Sequence, residues 1–376
     1  MSQVIVRPLT RRDADVDRFL RVSKAIYRDD PLYVSPLHGD LKKVFTDKNP
    51  LFEHAEMQLW IAERGGRDVG RIAALVDRNF NAYHRDACGS FGHFECVNDG
   101  PVSRRLFAAA FDWARAKGMK RMLGPLNPTT NDESGLLVHG FDSSTVFMMT
   151  YNPPYYENLV TAEGFTKAID LLAYIFDLAN APRERFERLA AKLKARKPDI
   201  TIVSVTRRNL DESLAQVKEV YNDAWKDNWG FVPMTDAEIR FMAARFRPLL
   251  TEGLAYVALN AHEPVGFLLA LPDFNQPFKP LHGRLFTPRL VGALPYLLGW
   301  KVPDVCRVVT LGVKGNYRGN GIETAMLAEG LKAGFRLGFK AVEASWILEN
   351  NTAVQRLIEL FGGKPYKTYR VYERAL

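Results

Sequence analysis

Cysteine is scarce: Cys88, Cys96 and Cys306 are an odd number without C-x-x-C spacing, which excludes a disulfide framework and offers no zinc pattern. The seven histidines are scattered and no H-E-x-x-H occurs, so no metal is expected. Long apolar runs are missing too. The longest charge-free stretch, Ser143 to Tyr156, has 14 residues, short of the ~20 that span a bilayer. Met1 to Arg12 lacks the apolar core of a signal peptide, so the chain reads as cytoplasmic. What is present is an ordinary globular balance, 47% hydrophobic and 25% charged residues. At roughly 100–200 residues per domain, 376 residues predict two domains. Lys and Arg total 51 against 43 Asp and Glu, a net +8. That excess favours anionic partners, among them phosphorylated cofactors and an acidic membrane surface. The basic residues form no stacking platforms, and nucleic acid is not an expected partner.

The chain repeats itself once. A shift of 196 residues lays Thr10-Arg11-Arg12 on Thr206-Arg207-Arg208 and Val69-Gly70 on Val265-Gly266; a later shift of 220 lays Gly118 on Gly338 and Asn131 on Asn351. Each copy predicts a strand, an amphipathic helix and two strands, then helix, strand, helix, strand. In the first copy these are Val4–Leu9, Asp13–Tyr27, Gln58–Glu63, Asp68–Val76, Val102–Lys117, Arg121–Leu123, Tyr155–Glu163 and Leu171–Phe176. In the second they are Thr201–Val205, Asp211–Trp225, Ala255–Leu259, Pro264–Leu271, Ile322–Leu337, Ala341–Ile347, Ala353–Leu360 and Tyr366–Tyr372. Between them Pro182–Lys197, dense in Arg, Lys and Glu, predicts an exposed linker helix. The expected organisation is therefore α+β, with domains over 1–178 and 200–376 and a linker over 179–199.

The most informative stretch is Val308 to Thr324: an apolar strand, the turn Arg318-Gly319-Asn320-Gly321, and at once the helix beginning Ile322-Glu323-Thr324. First-turn amides of a helix lack internal acceptors and make an anion site, and the glycines let backbone approach a pyrophosphate. This resembles motif A of the GNAT acyltransferase superfamily, Arg/Gln-x-x-Gly-x-Gly/Ala, with Arg318 and Gly321 in place and Glu323 where the family has Gly or Ala. Asn351-x-x-Val354-x-x-x-Ile358-x-x-x-Gly362 is similar to the superfamily's C-terminal helix, with Ile358 where a tyrosine often protonates the departing thiolate. An aliphatic chain cannot donate a proton, which leaves water, the CoA environment, Tyr366, Tyr369 or Tyr372. The first copy runs from Phe91–Cys96 through Asn98-Asp99-Gly100-Pro101 straight into its helix, without the Arg-x-x-Gly loop.

The resemblance implies two GNAT-like domains in tandem, each a mixed, mostly antiparallel sheet flanked by helices, with acyl-CoA (or an acyl-carrier thioester) on the second alone. Leu311, Val313, Arg318, Gly319, Asn320, Gly321, Ile322, Glu323, Thr324 and Asn351 are its expected binding residues. Two embellishments bear on the other substrate. Phe274–Pro303 carries Lys279, Arg284, Arg289 and Lys301, no acidic residue, and many apolar side chains including Phe286 and Trp300. It reads as a surface for anionic lipid, a wall for a long acyl chain, or a basic-rimmed flap. The first copy inserts about 22 residues after Asn131, rich in Gly, Asn and aromatics, and long loops of this kind are commonly functional.

With the Trp225–Phe231 turn, these features look like the tandem group that includes the bacterial ceramide synthases. That likeness implies transfer of a fatty acyl group to the amine of a sphingoid base by direct aminolysis. Glu95, with His93 two residues away on the same strand face, is the expected base. Asn98, Asn127, Asn131, Tyr151, Trp229, Phe286 and Trp300 are the expected acceptor or acyl contacts. An acetyltransferase of a small amine or peptide, an aminoacyl-tRNA-dependent transferase and a non-catalytic acyl-CoA-binding protein are the competing readings.

Overall fold

The computed structural model describes residues 3–376. They divide into two units. Unit 1 runs to Leu171 and also takes in Phe278–Thr287 and Lys367–Leu376; unit 2 comprises Leu172–Pro277 and Pro288–Tyr366.

Unit 1 begins with β1 (Val4–Leu9), α1 (Asp13–Ile26), α2 (His38–Lys43), β2 (Ala55–Arg64), β3 (Arg67–Asp77), α3 (Arg78–His84) and β4 (Cys88–Cys96). It continues with α4 (Gly100–Ala116), β5 (Arg121–Gly124), β6 (Leu126–Asn127), β7 (Glu133–Ser134), β8 (Leu136–His139), α5 (Tyr156–Thr161) and β9 (Thr166–Asp177), which passes into unit 2 at Leu172. Gly65 and Gly66, both at positive φ, make the two-residue turn that pairs β2 with β3. Asp99 caps α4 by accepting the Val102 N–H, and Pro101 sits where its missing N–H costs nothing. The helix then buries Val102, Leu106, Phe107 and Ala110 against Trp60, Ile72, Phe91 and Phe94 on one sheet face. On the other face, α1 buries Val16, Phe19 and Leu20 with Leu59, Ile61 and Ala73. The sheet order is β1-β2-β3-β4-β5, followed by β15 (Lys364–Ala375), whose residues from Lys367 on belong to this unit, and then β9.

Unit 2 repeats this plan with α6 (Arg183–Arg196), β10 (Ile200–Ser204), α7 (Leu210–Ala224), α8 (Asp236–Phe246), β11 (Ala255–Asn260), β12 (Glu263–Pro272), α9 (Asn275–Phe278) and α10 (Leu290–Leu297). Then follow β13 (Val305–Val313), α11 (Ile322–Leu337), β14 (Ala341–Leu348), α12 (Thr352–Leu360) and β15 (Lys364–Ala375). The order is β9-β14-β13-β12-β11-β10, with α11 on one face over Val265, Leu268 and Cys306 and α7 on the other over Val257 and Phe267. The expected exposed linker helix is corrected by α6: Phe186 stacks on Phe361 at 3.6 Å and Leu193 is buried in the same core. The charges that marked it as a linker occupy its outer face. Two buried apolar residues suffice to hold it.

Candidate active site

In both units the fourth and fifth strands of the repeat run parallel and then part. In unit 2, β13 and β14 pair only from Val305↔Ala341 to Val308↔Ala344. A bulge opposite Leu269/Ala270 at this level turns β13 aside. Beyond Val308 the β14-side edge of Thr310–Val313 has no strand partner among the described residues, so its backbone polar groups face a gap.

The phosphate loop sits at the mouth of that fork. Gly319 (φ 72°) and Gly321 (φ 86°) both adopt the left-handed region that favours glycine, and Gly321 is the N-cap of α11. Ala325 N–H bonds Gly321 O; the N–H groups of Ile322, Glu323 and Thr324 precede it and have no acceptor one turn back in the helix. A Cβ added to either glycine meets nothing within 4 Å, so the concave side is open. Arg318 braces the loop from below, donating through Nε to Val313 O at 3.3 Å and through Nη2 to Ala224 O. Asn320 donates to Tyr317 O at 3.0 Å and accepts from Lys197 at 2.9 Å, which brings a second cation to the turn. Glu323 lies in the first helical turn, where the macrodipole favours a carboxylate even without an anion present. Leu311 and Val313 lie on the unpaired length of β13, and Gly312 admits the Trp225 ring where a Cβ would stand 2.1 Å from it. Asn351 caps α12 by accepting the Val354 N–H at 3.3 Å. Ile358 fills a buried cluster with Tyr174 and Ala344.

Unit 1 has the same fork, with β4 and β5 paired only from Cys88↔Arg121 to Ser90↔Leu123, but here the gap is filled. Strand β6 crosses it so closely that a Cβ on Gly92 would lie 1.7 Å from Leu126 O, and Asn127 Oδ1 accepts the His93 N–H at 2.6 Å. Asn127, expected to bind substrate, gives its Oδ1 to this closure.

Two buried carboxylates stand out. In unit 1, Glu95 accepts from Tyr156 OH at 2.6 Å, bonds Tyr27, and lies 3.5 Å from Arg71. Burial raises its pKa against the pull of Arg71 and the two phenols. His93 has its ring against Phe19 and Phe45 and its Nε2 enclosed without a partner. Burial, helped by Arg71, lowers it to about 3 and keeps it neutral. Tyr151 donates to Asp30 at 2.7 Å beside the stacked Tyr27–Tyr33 pair. Asn98 is exposed in the bend before α4, and Asn131 follows β6 with its N–H on Thr129 Oγ1. In unit 2, Trp229 is half-buried in the turn after α7, whereas Trp300 is 76% exposed; Phe286, in unit 1, is 92% exposed.

The second carboxylate, Glu343, was missed. It is fully buried on β14 opposite Arg307 of β13, with Nε–Oε2 at 3.6 Å. Ser345 donates to it at 3.1 Å and Tyr366 OH at 3.4 Å. Burial pushes it up to about 7 against Arg307 and these two hydroxyls. A lone acid and a lone base, each in mid-strand among apolar neighbours, were the available signal.

Comparison with known proteins now bears on this geometry. Residues 214–362 match the Acetyltransferase (GNAT) family. Over 372 residues, 96% of this chain and 95% of the relative, the chain is 35% identical to a protein of Caulobacter vibrioides named bacterial ceramide synthase. The chain belongs to the tandem GNAT acyltransferases. This GNAT protein is also 32% identical, over its full length and 96% of the relative, to Protein YghO of Escherichia coli. A tandem GNAT protein from the clavulanic acid biosynthesis pathway shares its fold, with a TM-score of 0.60 at 15% identity over 99% of this chain and 98% of that one. It is an N-acyltransferase of the GNAT type, and acyl-CoA is the substrate class of that family.

Proposed function

We propose that this GNAT protein moves a long fatty acyl group from acyl-CoA to the primary amine of a sphingoid base, forming a ceramide-type amide. The observation that carries this reading is the likeness, over 95% of its length, to the relative named bacterial ceramide synthase. The open fork of unit 2 and the closed fork of unit 1 support a single thioester site. In that site the first-turn amides of Ile322–Thr324 hold the diphosphate, and amides along Leu311–Val313 polarise the thioester carbonyl. The neutral amine attacks the carbonyl carbon, the C–S bond breaks, and the amine's proton passes to a base.

Glu95 is the proposed base from the sequence. A second reading is favoured by the position of Glu343, which lies in the unit that carries the loop, one residue before the strands part. For protonation of the thiolate, Tyr366 is the one of the three candidate phenols that lies in that unit, whereas Tyr369 and Tyr372 belong to unit 1. Purified protein given palmitoyl-CoA or acetyl-CoA, with sphinganine or soluble amines, tests the proposal by mass spectrometry of the amide. Equal rates with acetyl-CoA and a soluble amine would overturn the lipid assignment and favour the small-amine acetyltransferase.

A further inference from the structure

No helix among the described residues is long and apolar enough to cross a membrane, yet one segment exposes apolar side chains as a membrane-facing element does. Among the described residues the most exposed large hydrophobics are Phe286 (92%), in unit 1, and Trp300 (76%), Val291 (71%) and Leu298 (54%), which share one short stretch of unit 2. Monomeric proteins seldom leave such residues together in water without a partner.

The local geometry sorts them. Val291 and Leu294 of α10 and Leu298 at its C-cap recur at the spacing of one helix face, while Ala293 points inward at 1% exposure. After the helix, Gly299 at φ 73° turns the chain back, and the Trp300 N–H bonds Pro295 O at 2.8 Å, which holds the indole outward at the helix end. Exposed Arg289 precedes this face and exposed Lys301 follows it. From Asn275 to Pro303 there is no acidic residue. An apolar face bracketed by cations, with an indole at its edge, matches the layering of a bilayer interface: acyl chains, then headgroup phosphates.

We infer that Pro288–Lys301 of unit 2 is a docking surface for an anionic lipid bilayer, with Val291, Leu298 and Trp300 inserted and Arg289 and Lys301 on the phosphates. This docking rests on the proposed function for its purpose, since both lipid substrates of that reaction partition into membranes. A second copy of the chain is the other occupant of such a face. It would have to cover Lys301 with an acidic group, and this segment itself has none to offer.

The test is sedimentation with vesicles of phosphatidylcholine alone or with one-third phosphatidylglycerol, no substrate being present, so failure of the acyl-transfer proposal cannot affect it. Wild type should partition about tenfold better to the anionic vesicles, less so in raised salt, with a blue-shifted tryptophan emission. Val291→Ser/Leu298→Ser should lose that partition and the emission shift, while its melting temperature and its rate on detergent-dispersed substrate stay at wild-type values. Lys301→Glu should weaken binding about fivefold or more. Equal sedimentation of the double variant and wild type would overturn the inference. So would a wild-type dimer, seen by light scattering, that the double variant splits and that ignores vesicles.

Discussion

Gly92 and Leu126 touch where only a glycine leaves room: a Cβ at position 92 would lie 1.7 Å from the carbonyl oxygen of residue 126. The absence of one side chain lets β6 occupy the fork of unit 1, and the two copies of the fold diverge at that contact. One gap is open beside an unpaired strand edge; the other is closed by the chain itself.

One thioester should therefore bind per chain. Calorimetry with a non-reactive acyl-CoA analogue should give a stoichiometry near unity. Gly92→Ala should cost about 3 kcal/mol or more, because its methyl meets backbone that cannot swing away. A stable Gly92→Ala protein would contradict the packing described for β6.

The loop in unit 2 should answer to its bracing. Arg318→Ala frees Val313 O and Ala224 O and removes a cation, and should raise KM for acyl-CoA about tenfold, equivalent to about 1.4 kcal/mol, with kcat within twofold. Gly321→Ala has open space but the wrong backbone, and should cost about 1–2 kcal/mol of stability as well as affinity. Steady-state kinetics and thermal melts separate the two effects.

Glu343 predicts a pH dependence. Its carboxyl, raised from 4.5 to about 7 in the folded state, keeps its proton there while the unfolded chain has lost it. The resulting stability is full below about 4.5 and is lost as pH rises through about 7, a change on the order of 3 kcal/mol. Glu343→Gln should flatten the melting temperature against pH over that window. If Glu343 is the base, the variant should also lose the rise in kcat with pH near 7 and fall about 100-fold in rate. Glu95→Gln is the matching control, and a rate loss confined to it would return the base to unit 1.

Tyr156 holds both the Glu95 carboxylate and the Cys96 N–H, the latter at 2.9 Å. Tyr156→Phe takes the hydroxyl from the buried Cys96 N–H and leaves the Glu95 carboxylate to Tyr27 and Arg71 alone, and should cost about 2–4 kcal/mol, measured by denaturant unfolding. The shape of the ring is kept, so the loss reports the hydroxyl alone.

The repeated plan was legible in the sequence because each element carries its own period and stops. Val4–Leu9 and Ile322–Leu337 have the expected bounds, the first by its β-branched residues and the second between Gly321 and Gly338. The phosphate loop was legible for the same reason: strand, glycines and helix are contiguous. What escaped was created by pairing at a distance. Glu343 stands out in the sequence only once Arg307, 36 positions upstream, is known to lie across the β13–β14 ladder. His93 gains its partnerless ring nitrogen from Phe19 and Phe45, far from it along the chain. Asn127 looks like any polar loop residue until Gly92 admits its neighbour.

The end of the chain leaves a different mark. Strand β15 lies between β5 and β9 in the sheet order, and Lys367–Leu376 belong to unit 1, with Tyr372 opposite Gly124 and Arg370 paired to Asp170 at 2.7 Å. A ribosome making this protein from its first codon cannot finish the earlier half first. That half must wait, one strand short, until Lys367–Leu376 have left the exit tunnel, so a frameshift just upstream of codon 367 would cripple a part of the nascent chain made long before it.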